Sequence, residues 1–482
     1  MPGWGASRRD RAGGQILALF AFSLVVIVAV GALLFDGASA LVTRRRLQNA
    51  GDAAALAGAN VLQTIGSAHV CSTGASSPPG APRQDIVDAV TASLAVNWSA
   101  ISTSDVTVTC PDGWENQAVR VDLQRSSTSF LSGAIGLGPV AVSTTSTALN
   151  GQWTGSTYSV VLLDPWNSSW PNARRGCPSF LISGGPTITF DGSVYVDSAC
   201  PAANGGALAT NGNAATVTVA NGRILKLVGG YSPGPLILTP APTIGVDPLA
   251  DPLAGIEPVP SLATQSPNRL VLNNETQVLL PGVYRGGIQL RNSSVALLRP
   301  GIYVLDGGGL DIGAQASLCS ISDTSSATDC STFSTACPDT TCGILLFNRG
   351  TTSGGGAMGQ VSVSAGATLK LRAYDDRANT IQSEYFEYRN LLIWQDESPA
   401  PTSSYAQPVV QLNGGGSVDI TGTVYAPSAK VLMGGTSGGS GGTVNLLLQF
   451  IAWDLEMSGN TSFHFFYTDE ATARPKSYGL VQ

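Results

Sequence analysis

The spacing of apolar positions changes three times along the chain, and each change marks a different kind of element. The run 16–35, opening on Ile16 and closing on Phe35, contains no charge. At helical rise it spans about 30 Å, the depth of one hydrocarbon core, which predicts a single transmembrane helix. Beyond it Leu47, Ala50, Ala54, Ala57 and Val61 recur every three or four residues. That period continues the helix as a stalk whose small-residue stripe allows close approach to a neighbour. A cleaved signal peptide is the competing reading, since Ala38-Ser39-Ala40 has the small-x-small form. The long apolar run and the helical pattern that continues through that site favour an anchor.

Between 66 and 150 the pattern is mixed. A Ser/Pro/Gly loop at 76–82 precedes a helical stretch at 84–96, and alternation at 106–109, 119–123 and 140–143 predicts strands. From residue 151 the texture becomes short apolar strands cut by Gly, Asn, Ser and Asp. It is interrupted at 232–268 by a proline-loaded segment that reads as a linker or strap, because proline cannot donate to a sheet ladder. After the interruption Leu279-Leu280-Pro281-Gly282-Val283-Tyr284 returns nineteen residues later as Leu298-Arg299-Pro300-Gly301-Ile302-Tyr303. Strands of three to six residues with Gly and Asn corners at such a period fit the turns of a parallel β-helix-like solenoid. A β-sandwich is the alternative. The expected organisation is therefore an anchor and helical stalk at 1–65, a small pilin-like α/β domain at 66–150, a first β region at 151–231, the strap at 232–268, and a β-helix-like domain at 269–482.

Composition narrows the function classes. Charged residues make up 12%, glycines number 57, and the net charge is −7. An acidic chain without a basic face argues against nucleic acid as a partner. Arginines flank the apolar run on both sides, at Arg8, Arg9 and Arg11 and at Arg44, Arg45 and Arg46, so they leave its orientation open. The cysteines are more telling. All eight follow the run, as disulfides in an oxidising compartment would, which predicts a cytoplasmic N-terminus and a periplasmic or extracellular bulk. Cys71 with Cys110 and Cys177 with Cys200 are expected bridges. Three pairings are open to Cys319, Cys330, Cys337 and Cys342, and the nested one, Cys319 with Cys342 and Cys330 with Cys337, is the expectation.

The first sixty residues also carry a resemblance. Gly14-Gln15, Phe20, Asp36-Gly37, Arg44-Arg45-Arg46, Leu47-Gln48-Asn49-Ala50, Asp52 and Ala53-Ala54-Ala55-Leu56-Ala57 resemble the N-terminal segment of TadE/TadG-like proteins of the tight-adherence (Flp) pilus system. The resemblance implies a membrane protein whose partners are Tad pilus or secretion components. Leu19 stands at the fifth position after Gly14, where processed pilin-like proteins carry Glu, so the helix is expected to remain an anchor.

Candidate chemistry is sparse. His69 and His464 are far apart and there is no Cys-x-x-Cys, so neither a catalytic metal nor a cofactor is expected. Gly307-Gly308-Gly309-Leu310-Asp311 lacks the glycine spacing of a calcium-binding nonapeptide. The charge-dense stretch is 372–397, where Asp375, Asp376, Arg377, Tyr385, Tyr388 and Arg389 could line a glycan-contacting groove. A surface polysaccharide lyase, hydrolase or glycan-binding protein is thus the alternative to the main expectation, a non-catalytic structural protein of pilus assembly or adhesion.

Overall fold

The computed structural model describes residues 13–62, 71–72, 81–98, 101–111, 117–127, 133, 136, 138–152, 158–166, 177–232, 234–254, 256, 259–337, 342–350, 357–375, 386–397, 408–414, 417–435, 443–468, 471–473 and 476–481. The chain divides into two compact units, Met1–Gly151 with Ser477–Gln482, and Gln152–Lys476. The second is an insertion in the first. The expected divisions at 231 and 268 do not separate domains, because both β regions and the proline-rich segment belong to the inserted unit.

In the first unit one helix, α1 (Gly13–Val61), is continuous over 49 residues. No glycine or charge within it ends it, because an i to i−4 ladder needs only backbone groups and the helix breaker proline is absent. A second helix, α2 (Gln84–Asn97), buries Ile86, Val90 and Leu94 at helical spacing. Both pack on an antiparallel sheet of β1 (Val106–Thr109), β2 (Ala118–Ser127) and β3 (Val140–Gln152). The last position is taken by the C-terminal strand Lys476–Val481, which returns to lie beside β3. Sequence reading left that strand in the solenoid. Cys71 and Cys110 are bridged and join the same core.

The second unit is built of stacked parallel layers. Each strand pairs with the strand one turn further on: Leu270–Asn273 with Ile288–Arg291, Thr276–Leu279 with Val295–Leu298, and Gly301–Asp306 with Ile344–Arg349. Every ladder among its described strands is parallel, so the antiparallel hairpins of a β-sandwich are not found there. Where one turn crowds the next, only glycine fits. A Cβ on Gly287 would lie 2.0 Å from Gly309 O, and one on Gly308 2.1 Å from Gly286 O. Both adopt positive φ, 78° and 71°, so Gly307-Gly308-Gly309 is a corner of the stack.

The order of layers is not the order of the chain. Following one face, Thr264–Ser266 is succeeded by Gly282–Arg285, Gly301–Asp306, Ile344–Arg349, Leu391–Gln395, then parts of Val418–Gly435 and Thr443–Gly459. The next layer is Tyr158–Leu162, followed by Ser193–Val196 and Leu225–Leu227. The N-terminal layers thus continue the stack where the C-terminal layers end. We call this junction the seam. Phe190 and Phe465 stack across it at 5.0 Å, and Tyr158 O accepts from Gln449 Nε2 at 2.8 Å.

Because the chain leaves one end of the stack near Ile244 and re-enters at the other near Thr264, the intervening segment 245–263 must travel its length. It does so as a strap over an outward-facing column. Val283, Val304, Phe347, Trp394, Tyr425, Ile451, Val161 and Tyr195 are successive register partners. They cluster with Leu253 and Val259 of the strap, both buried. Outward positions that would otherwise be wet are thereby covered, and aromatic area is buried.

Candidate functional site

The geometry of α1 changes along its length. From Leu17 to Val42 its large apolar side chains with described burial are exposed: Leu17 is 73% accessible and Phe35 59%. A solvated helix of that composition would be unfavourable, and a lipid environment removes the cost. Arg44, Arg45 and Arg46 are exposed at the end of this stretch. Immediately afterwards the helix enters the α/β core, where Leu47, Ala50, Ala54, Ala55, Ala59 and Leu62 are buried. The expected stalk is therefore docked, and its buried face is rotated from the predicted one, for Ala57 and Val61 are only partly covered.

Two glycines set the closeness of that docking. A Cβ on Gly51 would stand 2.8 Å from Ser146 Oγ, and one on Gly58 2.8 Å from Val90 Cγ2 and 3.1 Å from Val119 Cγ1. Polar groups then fix the register of helix against sheet. Ser146 Oγ donates to Asp52 Oδ1 at 2.7 Å, and Gln48 Nε2 donates to the same oxygen at 2.8 Å and to Ser146 Oγ at 3.2 Å. Asn150 Nδ2 donates to Ala59 O at 2.8 Å, and Tyr478 Oη to Leu56 O at 2.9 Å. Gln48, Asp52 and the small residues between them thus have a structural task, which is to lock an amphipathic half-helix to a sheet. Residues 14–61 match a family model described as putative Flp pilus-assembly TadE/G-like. The TadE/G-like segment ends where α1 ends, and it includes both the apolar stretch and the docked stretch. No curated protein and no solved structure matches the chain.

Outside the TadE/G-like segment, the charge-dense stretch is not an open groove among its described members. Asp375, Tyr388 and Arg389 are 2%, 1% and 6% accessible. Tyr388 lies 5.7 Å from Trp394 in the cluster beneath the strap. The turn at 386–390 folds back so that Asn390 N donates to Tyr374 O at 2.8 Å. Arg372 turns elsewhere, to Asp419 Oδ1 at 2.7 Å, with its guanidinium over the Phe333 ring. Asp376, Arg377 and Tyr385 lie outside the described residues, as does His69.

The four late cysteines pair sequentially, Cys319 with Cys330 and Cys337 with Cys342, which corrects the nested expectation. Cys319 sits inside the strand Ser317–Ser320, where the adjoining loop folds back over it, whereas Cys342 opens the next turn just before Ile344–Arg349. Each bridge closes a short separation, 11 and 5 residues, and together they hold the loop against Leu297, Ile321 and Phe333. Cys177 and Cys200 are bridged as expected.

Sequence reading missed the titratable groups that matter most. At the seam, Asp164 is fully buried beside Asp454, with Lys430 as the register partner of Asp454. Burial pushes Asp164 up to about 6, against the pull of the Trp166 amide and of its bond to Asp454. Burial, and next the charge of Asp164, holds Asp454 well above the ordinary carboxylate range. Lys430 itself donates to Glu456 Oε2 at 2.6 Å. His464 Nε2 also reaches across the seam, 2.9 Å from Asp191 Oδ1, so this histidine joins two layers. Under the strap, Tyr425 Oη donates to Asp251 Oδ2 at 2.7 Å. Burial raises both groups, and the Asp251 charge raises Tyr425 further. No local motif signals either pair, since their members lie 290 and 174 positions apart in the sequence.

Proposed function

We propose that this protein is a membrane-anchored, exported, non-catalytic structural component of a Tad/Flp-type pilus-assembly or surface-attachment system. The observation that carries the reading is the division of labour within α1: an exposed apolar stretch of membrane-spanning length runs into a half-helix locked to an α/β domain, and the family match covers both. In this reading the N-terminus is cytoplasmic, and the α/β unit and a parallel β-helix lie outside the inner membrane. Eight cysteines in four bridges, all beyond the span, suit an oxidising compartment. The partners are Tad machinery in the envelope.

The reading is tested by fractionating cells that express the full chain and adding protease after the outer layer is opened. Membrane recovery with digestion beyond residue 65 is the expected result, and intact protein in the cytosol would sink the proposal. Deletion of residues 13–61 should release the protein from membranes and abolish piliation or attachment. Purified protein incubated with acidic and neutral polysaccharides should yield no new reducing ends or unsaturated products. Either product would replace the non-catalytic reading with the enzymatic one.

A further inference from the structure

The covered side of α1 extends beyond its docked stretch, back into the apolar run. Ala32 and Asp36 are 3% and 8% accessible, and Ala29, Ala40 and Thr43 are partly covered, whereas Leu33, Leu34 and Phe35 are exposed. These covered positions recur every three or four residues and lead into the buried Leu47 and Ala50. The chain itself therefore lies against one side of the apolar run. Ala40 packs on the α/β core, which includes Val142 of β3. Gly51 sits beside Ser146 and Ala59 beside Asn150, so β3 runs in the same direction as α1 and starts on the side of the apolar run. At about 3.4 Å per strand residue and about 1.5 Å per helix residue, Val140 comes level with roughly Ala38, and Arg125, the register partner of Val142, with roughly Val42. The Arg125 guanidinium lies 5.2 Å from the centre of the Trp98 ring. Together with Arg44, Arg45 and Arg46 this pair forms a belt of the kind that marks a membrane interface. Past that belt charge stops: no residue from Ser126 to Val142 is charged. β2 and β3 remain paired to Ser127 and Val140, Val140 is 53% exposed, and the sequence joining them, 128–139, includes Phe130, Leu131, Ile135 and Leu137.

We infer that the end of the β2–β3 pair is a second membrane contact, entering the acyl layer beside α1. The inference rests on the reading of 16–35 as a membrane span. Its ligand is the bilayer: acyl chains surround Val140 and the uncharged end, and headgroups surround Trp98 and the arginines. An end that passes the arginine belt by about 10 Å removes apolar area from water without burying a charge. Backbone groups at that depth must be paired within the protein, and the ladder pairs them as far as Ser127 and Val140. The same arrangement accounts for Asp36. A carboxyl on the lipid face of a span is costly, and this one lies on the covered side of the helix. The α/β domain is thereby held to the membrane at two points, which fixes its tilt in a way that a single helix cannot.

The test is quenching of a fluorophore on single introduced cysteines in the full chain, reconstituted into phosphatidylcholine vesicles whose acyl chains carry a nitroxide. All eight native cysteines are bridged, so an added thiol is labelled selectively. Phe22→Cys in the apolar run is the lipid reference, and Asp88→Cys, on the exposed side of α2 near the level of Gly58, is the aqueous one. Val140→Cys should be quenched at least about half as strongly as Phe22→Cys, and Asp88→Cys about tenfold less. Pro139→Cys, exposed and adjacent, should give the same answer if Val140→Cys disturbs the fold. Quenching of positions 139 and 140 by aqueous iodide, with Phe22→Cys still in lipid, would overturn the inference and leave the span intact. Protection from both quenchers would show a protein partner in place of lipid and overturn it equally. An aqueous Phe22→Cys would remove the span itself, and the inference with it.

Discussion

The α/β unit and the layered unit solve the same problem, burying short amphipathic elements, by opposite means. In the first, one long helix supplies a contiguous small-residue face, and two glycines let it press against α2 and β2. In the second, no single segment is sufficient. Layers from two remote parts of the sequence meet at the seam, and a proline-rich strap crosses between the ends to seal the outer column. A unit organised around one closely packed helix face is sensitive to local changes of size. A unit stabilised across sequence-remote contacts is sensitive at its junctions.

The largest expected effect tests the first half of that contrast. Gly58→Leu places atoms where Val90 Cγ2 would already be 2.8 Å from a Cβ, and overpacking of this kind costs about 3 kcal/mol or more when the neighbours are rigid. Proteolysis should then cut the α/β unit while the layered unit resists. The reciprocal change is Leu253→Ala in the strap. Its side chain is 2% accessible, and truncation should cost about 2–4 kcal/mol, read as a lower unfolding midpoint of the layered unit alone. If either variant unfolded both units together, the two would not be energetically separate.

The seam gives a pH-dependent version. Asp164 has a folded value of about 6 against an ordinary 3.8. A carboxyl raised by folding contributes least cost below its unfolded value, and stability falls as pH rises from there through the folded value. Asp164→Asn should therefore stabilise the layered unit by about 1–3 kcal/mol at pH 7 and by much less at pH 4. Thermal midpoints of wild type and variant across that range check the sign, and a gain that grows on acidification would contradict it. The smallest effect belongs to Asp52→Ala, which removes one acceptor shared by Ser146 and Gln48. A loss of about 1 kcal/mol is expected, confined to the α/β unit.

How much of this was legible in the sequence follows the same divide. The apolar run, the helical period and the Gln48 and Asp52 positions are local, so the anchor, its continuation and its resemblance could be read directly. The nineteen-residue repeat was legible too, but its meaning was not. Tyr284 and Tyr303 occupy equivalent places in the repeat and each donates to a carbonyl four residues back, at 2.7 Å. Yet Gly282 pairs with Tyr303, not with Gly301, because the ladder slips two residues at that face. Further on, the long stretch between the strands Ser317–Ser320 and Ile344–Arg349 hides the period. The charge-dense stretch misled for a related reason: composition suggested an open groove, whereas packing buried Asp375 and Arg389 and set Tyr388 in the cluster beneath the strap.

By itself, the sequence determined what depends on neighbours along the chain: a membrane-length helix, its amphipathic continuation, short strands with glycine corners, and cysteines placed beyond the span. Tertiary structure alone decided which layer follows which, where the proline-rich segment lies, which of the late cysteines meet, and that Asp164 and Asp454 share a buried site. Those outcomes are set by the register of strands remote in sequence and by the cost of leaving an edge or an aromatic column uncovered. Such terms arise only once the layers are stacked, so a period read along the chain cannot contain them.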